Sequence, residues 1–305
     1  MMGVMRWRRI LFMSIVLVVG LAGAIWWYWP DGKLRVIGCD VGQGDSILIT
    51  RGFSQVLIDG GPGGKVLPCL GRYLPFWDRR IELVVLTHPQ ADHMDGLAEV
   101  LKRYKVGLWV ANGVASESEK FGQIVSELGK TETRMYVPMQ GDVFGVGDMK
   151  FEVWWPRERW GGADWWNKAV KGDIRMSDYT QDGLNLSDVN EVSVVLGLTW
   201  RNFAAAFTGD ISTREELAMV EAGVIRRVAV LKIAHHGSKF SSGPAFLEET
   251  RPSMAIISVG KNNRFGHPTS ETLTHLDAVS AKILRTDELG DVVVVTDGER
   301  VWAEE

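Results

Sequence analysis

Four apolar runs in this chain lead into a histidine or an aspartate, and that recurrence limits the fold more than any other feature. LVVLT (83–87) runs into His88, with Asp92 and His93 just behind it. NFAAAFTGD (202–210) ends on Asp210, VAVLKIA (228–234) runs into His235 and His236, and MAIISVG (254–260) precedes His267. Apolar runs without polar alternation belong to strands covered on both faces, which requires layers of helix on sheet. Such folds place their sites at the C-terminal ends of strands. Four strand ends that each deliver an imidazole or a carboxylate supply the N/O donors that a borderline or hard divalent cation takes.

The rest of the chain fits that frame. LRVIGCDV (34–41), SILIT (46–50) and QVLID (55–59), separated by GQGD and RGF, predict an antiparallel meander. From Met94 the apolar positions 94, 97, 101 and 104 take helical spacing, VGLWV (106–110) predicts a strand, and 117–128 a helix. In the second half, VSVVLGLTW (192–200) and NFAAAFTGD form a hairpin about Arg201-Asn202. A helix at 212–222 follows, with Ser212 or Thr213 as N-cap and Glu215-Glu216 in its first turn. A helix near 270–279 and the strand pair VVVVT (292–296) and RVWA (300–303) close the chain. Two β-rich halves, each covered by helices, imply a four-layer α/β/β/α sandwich rather than one doubly wound sheet.

The first thirty residues stand apart. Arg6, Arg8 and Arg9 are their only charges, so the formal net charge of −4 leaves −7 on residues 31–305, which argues against holding duplex DNA on a broad basic face. Ile10 to Trp29 is uncharged for 20 residues, about 30 Å as a helix, enough to cross a bilayer. Trp26, Trp27, Tyr28 and Trp29 suit an interfacial belt, and the arginines set the N-terminus inside. The expectation is a membrane anchor at 1–30 and an extracytoplasmic domain at 31–305, with a cleaved signal peptide as the alternative. Cys39 and Cys69 read as buried free thiols, or as a single bridge if the domain is exported. Residues 154–190, with five Trp among the first thirteen, read as a long surface insertion. There Trp165 and Trp166 either stack on unpaired bases or pack the loop onto the domain.

At this point the motifs THPQADHMDG (87–96), LIDGG (57–61), TGD (208–210) and LKIAHHGS (231–238) resemble the signature of the metallo-β-lactamase fold. DVGQGDS (40–46), NEVSVVL (190–196) and SVGKNNRFGHP (258–268) narrow the resemblance to the extracytoplasmic hydrolase-like domain of the ComEC competence proteins, over roughly residues 34–297. The resemblance implies the same αββα sandwich. It implies Asp92 and His93 as ligands of the second metal position, Asp210 as the carboxylate able to bridge two metals, and His235 or His236 as the last histidine ligand. His88 resembles the first ligand of the other position, and Asp59 the buried carboxylate that orients a ligand imidazole. Asp45, Asn190, Ser193, Lys232, Ser238 and His267 match polar motif positions near the site.

Two departures shape the expectation. The second histidine of the signature is replaced by Gln90, and no histidine lies between His93 and His235. One well-held divalent ion, Zn or Mn, is therefore expected, with a second weak or absent. The implied chemistry is hydrolysis by hydroxide that a divalent ion makes available near neutral pH, with Asp210 orienting it. His267 would donate a proton to the leaving oxygen or contact phosphate, and Lys232 and Ser238 would hold the scissile phosphate. The implied substrate is DNA during uptake, single-stranded DNA before duplex, beside a separate channel protein. A metallohydrolase on another substrate and a non-catalytic DNA- or partner-binding module are the rival readings.

Overall fold

The computed structural model describes residues 2–27 and 29–304, without the side chains of residues 2–6, 24 and 27. The expected roles of Arg6, Trp27 and Tyr28 thus lie outside the described residues. α1 (Met2–Trp27) is one helix. β1 (Leu34–Gly38), β2 (Ile47–Arg51) and β3 (Ser54–Ile58) form the expected antiparallel meander. α2 (Val66–Tyr73) crosses to β4 (Arg80–Leu86), which lies parallel to β3, and α3 (Ala91–Leu101), β5 (Lys105–Ala111), α4 (Glu119–Gly129) and β6 (Arg134–Tyr136) extend the parallel half.

The second sheet holds β7 (Val143–Val146), β8 (Met149–Trp155), β9 (Val195–Trp200), β10 (Phe203–Phe207), β11 (Val230–Lys232), β12 (Met254–Ile257) and β13 (Lys282–Arg285). α5 (Trp165–Lys171), α6 (Thr213–Glu221), α7 (Pro244–Thr250) and α8 (Ser270–Ala278) fall between its strands. After α9 (Thr286–Leu289), the hairpin β14 (Val292–Thr296) and β15 (Val301–Glu304) returns to the first sheet. The sheet orders are β15-β14-β1-β2-β3-β4-β5-β6 and β13-β12-β11-β10-β9-β8-β7.

Side-chain alternation explains why two sheets make four layers. Leu83 and Val85 of β4 pack with Phe151 and Leu196 of the opposing sheet, while Val84 and Leu86 pack with Leu97 of α3 and Phe121 of α4. On the second sheet Leu196 and Leu198 face inward, and Val195 and Ala206 join Met219 of α6 and Phe246 of α7. α6 begins with a capping box, Ser212 and Glu215 each bonding the other's backbone end, as the sequence suggests.

Three expectations need correction or restriction. Cys39 and Cys69 are joined in a disulfide, so the free-thiol reading fails; both lie in the core under α2, where the two chain segments meet. Residues 154–190 are not a surface loop throughout. Trp154 and Trp155 complete β8, and α5 seats Trp165 and Trp166, 0% and 1% exposed, against Trp109 and Phe121. For α1, side chains are described without a break from Trp7 to Gly23, and those of Ile10, Phe12, Leu17 and Val19 are exposed. Among the described residues no helix is long and apolar enough to cross a membrane.

Candidate metal centre

The strand ends that the sequence singles out do converge. β3 ends at Asp59, β4 leads through Thr87 into His88, and α3 starts just beyond, presenting Asp92 and His93. The approach is close because it has no Cβ in the way: Gly60 N–H donates to the His93 carbonyl at 2.7 Å, and Gly96 N–H to the Gly61 carbonyl at 2.9 Å. A Cβ on Gly96 would collide with the Gly60 carbonyl. From the other sheet, β10 leads to Asp210 and β11 to His235 and His236.

Both histidines, and Asp59 as well, sit at positive φ: 50°, 55° and 59°. A non-glycine residue in this region costs on the order of 1–2 kcal/mol. Three such residues together mark a place where side-chain direction outweighs backbone comfort.

The imidazoles share one arrangement. His93 Nδ1–H donates to Asp59 Oδ2 at 2.8 Å, and Thr87 Oγ1–H donates to the same oxygen at 2.7 Å. His236 Nδ1–H donates to the Ser258 carbonyl at 2.9 Å. His88 Nδ1 lies 3.1 Å from Thr87 Oγ1 and 3.2 Å from Ser193 Oγ. In all three rings Nδ1 is engaged, while Nε2 is buried without a hydrogen-bond partner. His93 Nε2 stands 3.4 Å from Asp210 Oδ2; His236 Nε2 is 3.6 Å from that oxygen and 3.4 Å from Asp92 Oδ2.

Buried polar atoms without partners are costly, and three imidazole Nε2 atoms gathered with carboxylate oxygens form, once the rings are neutral, a donor set for a divalent cation. Asp92–His93–His236 and His88–His93–Asp210 each bring ligand atoms within 4.8 Å of one another. The residues fit a metal: His93 is common to the two groups, and Asp210 stands against the Nε2 atoms of both His93 and His236.

The electrostatics follow from burial. His88 is pushed down to about 3 by burial and by the neighbouring His93, so it is neutral and keeps a free lone pair. Burial would also lower His93 and His236, but Asp210 and Asp59 raise the first well above its usual value. Asp210 and Asp45 raise the second to about 10. Burial alone would raise the Asp210 carboxyl; His93, His236 and Lys232 overcome it and hold Asp210 well below the usual range. At Asp92, burial is similarly outweighed by the His236 bond and the His93 charge.

Not every residue singled out from sequence lies where expected. His236, 2% exposed, belongs to the cluster, whereas the half-exposed His235 approaches Asp210 only to 4.0 Å. Lys232 is 2% exposed, ion-paired with Asp45, and donates to the Gly209 carbonyl at 3.1 Å. It has no surface to offer a phosphate, so that expectation is corrected: it fixes the Asp45 and Gly209 segments beside Asp210. Ser238 Oγ accepts from Phe240 N–H and caps a turn. Gln90 occupies the N-cap of α3 and lines a shallow groove with Ser116 and Gln181.

Asn190 is buried one turn before Ser193, its Oδ1 without a partner. Trp165 and Trp166, being core, cannot stack on bases. His267 stays at the rim, its ring 5.8 Å from His235 and stacked on Phe265. Burial, then His235 and His236, lower its pKa. Sequence reasoning missed Thr87 and the Ser258 carbonyl. Thr87 lies inside the THPQADH motif and was open to notice; a backbone carbonyl leaves no residue-type signal.

Comparison with known proteins agrees with this geometry. Residues 39–155 match the metallo-beta-lactamase superfamily. The chain is 29% identical over 289 residues to ComE operon protein 3 of Bacillus subtilis (strain 168), covering 86% of this chain and 33% of that protein. It is 27% identical over 266 residues to competence protein ComA of Neisseria gonorrhoeae, covering 86% and 32%. The chain thus spans about a third of the length of these relatives. Among solved structures, a variant of the β-hydroxylase CmlA matches with a TM-score of 0.50 and 15% identity, covering 87% of this chain and 54% of that one, which speaks for the fold alone. Residues 39–155 thus resemble the metallo-beta-lactamase superfamily, and most of the chain is similar to about a third of the length of these competence-type relatives.

Proposed function

We propose that the chain is a metal-dependent phosphodiesterase that cleaves DNA, single strands in preference to duplex, from a domain held at the outer face of a membrane by α1 and working beside a separate channel protein. The observation that carries the reading is the set of three buried imidazoles whose Nε2 atoms have no hydrogen-bond partner, grouped around Asp92 and Asp210. A divalent cation held there, Zn or Mn, would polarise a phosphoryl oxygen and make hydroxide available near neutral pH.

The chain's own residues supply the rest. Asp59 and the Ser258 carbonyl fix the ring directions of His93 and His236. Asp210, kept ionised by its neighbours, accepts a hydrogen bond from the attacking water and aims it. His267, at the rim beside His235, donates to the leaving oxygen. The name of one relative, competence protein ComA, supports competence as the setting, and the exposed apolar side chains of α1 support the anchor.

The test is metal analysis of the full chain in detergent together with cleavage of labelled single-stranded DNA under several divalent ions. Metal-dependent cleavage lost in Asp210→Asn is the expected result. Cleavage of small esters but not of DNA assigns another hydrolase substrate, and DNA binding without cleavage in the metal-loaded chain makes it a binding module.

A further inference from the structure

The two ends of the first sheet have opposite chemistry. The C-terminal ends of β3 and β4 carry the metal centre. At the other end lie the starts of β4, β5 and β6 together with the β2–β3 turn, roughly 20 Å away along a seven-residue strand. α1 joins the domain at this second end: Trp29 and Pro30 line a groove with Gly52, Leu74 and Pro75, and the Trp29 ring meets Phe53 edge-on at 5.9 Å.

Four aromatic side chains are exposed around that junction: Trp29 (65%), Phe53 (45%), Phe76 (56%) and Trp77 (39%). Beyond Asp78, whose carboxylate bonds Gln55 and the Arg80 N–H, the surface turns basic. Arg79, Arg80, Lys102, Arg103, Lys105 and Arg134 line a cavity of about 740 Å³. Arg80 is paired with Glu82 and Lys102 with Glu99, and Glu132 lies on the same rim. Arg79, Arg103, Lys105 and Arg134 have no carboxylate at ion-pair distance among the described residues. This concentration of cations is at odds with a chain of net charge −4.

We propose that this edge is a docking face for an anionic phospholipid surface, on which the domain rests beside its anchor with the metal centre turned away from the membrane. Exposed Trp and Phe beside a cluster of Arg and Lys are suited to the headgroup layer: aromatic rings settle at its depth, and cations are drawn by its negative potential. The position decides for lipid over nucleic acid, because the face surrounds the exit of the apolar helix and lies a full strand length from the metal centre. The inference rests on the reading of α1 as an anchor. It adds an orientation: substrate would reach the metal from the side away from the bilayer.

The test uses the full chain reconstituted in nanodiscs of phosphatidylcholine, with or without phosphatidylglycerol, read by amide hydrogen exchange. Segments 51–54, 76–80 and 102–105 are expected to exchange several-fold more slowly in the anionic discs, with 262–267 beside the metal centre unchanged. The triple variant Lys102→Glu, Arg103→Glu, Lys105→Glu, all exposed positions, is expected to lose the difference, as is the wild type in high salt. Incorporated chain with equal exchange in both lipids overturns the docking face and leaves the anchor standing; chain that does not incorporate overturns both. Protection given by a single-stranded oligonucleotide and not by anionic lipid overturns the proposal and assigns the face to nucleic acid.

Discussion

The two halves of the metal centre are unequally finished. One half has Asp92, His93, Asp210 and His236, each buried or mostly so, each ring held by a second partner. The other has His88, equally buried and held by Thr87 and Ser193, but shares Asp210 and His93 with the first half and has an amide, Gln90, where the motif has a histidine. The lesson is that orienting groups and ligands can be present to different degrees: the half with His88 keeps its scaffold and lacks its donors. Lys232 adds a fixed positive charge beside Asp45 and Asp210, within a region rich in carboxylates.

Substitutions can break or sharpen that contrast. Asp210 serves both halves, so Asp210→Asn should have the largest effect: no metal bound after dialysis, and hydrolysis down on the order of a thousandfold. Next, His236→Ala should lose the first equivalent of metal, whereas His88→Ala should retain it and His235→Ala should resemble wild type; equal losses in all three by metal analysis would erase the distinction. Asp59→Asn should weaken metal binding about 10- to 100-fold in a competition titration, since it removes the group that orients His93 and no ligand. Gln90→His runs the other way and should raise metal content above that of wild type, provided α3 turns the new ring inward.

The smallest effect concerns a buried acid outside both halves. Asp45 and Asp210 are held ionised by cations, but among the described residues Glu216 is met only by the amide N–H groups of Ser242 and Gly243, and burial, reinforced by Glu215, pushes it up to about 7. Its folded pKa lies above the unfolded value, so its contribution is full below about pH 4.5 and is lost as pH rises through about 7. The size is on the order of 3 kcal/mol. Melting curves of wild type and Glu216→Gln at both pH values should show the variant losing less stability on going to neutral pH.

Much of the site was legible because its residue types are rare and its spacing is local: six histidines, two of them, His88 and His235, following an apolar run directly. What was not legible depended on burial. His235 and His236 are neighbours with the same side chain, and only the left-handed backbone of this turn decides which ring enters the cluster. Lys232 and Trp165–Trp166 carry the chemistry of a phosphate contact and a stacking platform, yet both are sealed inside. The irregular composition of 154–190 hid β8 and α5, whose apolar residues follow no long period.

By itself the sequence determined the layered architecture, since uninterrupted apolar runs must be covered on both faces, and it determined which segments supply metal ligands, since those runs end on His and Asp. Only the tertiary structure decided which ligands meet, that Cys39 and Cys69 bond, and that cations and aromatics gather at the opposite edge. Those outcomes depend on where distant segments lie in space and how much water is left between them. Neither quantity is contained in the spacing of residues along a chain.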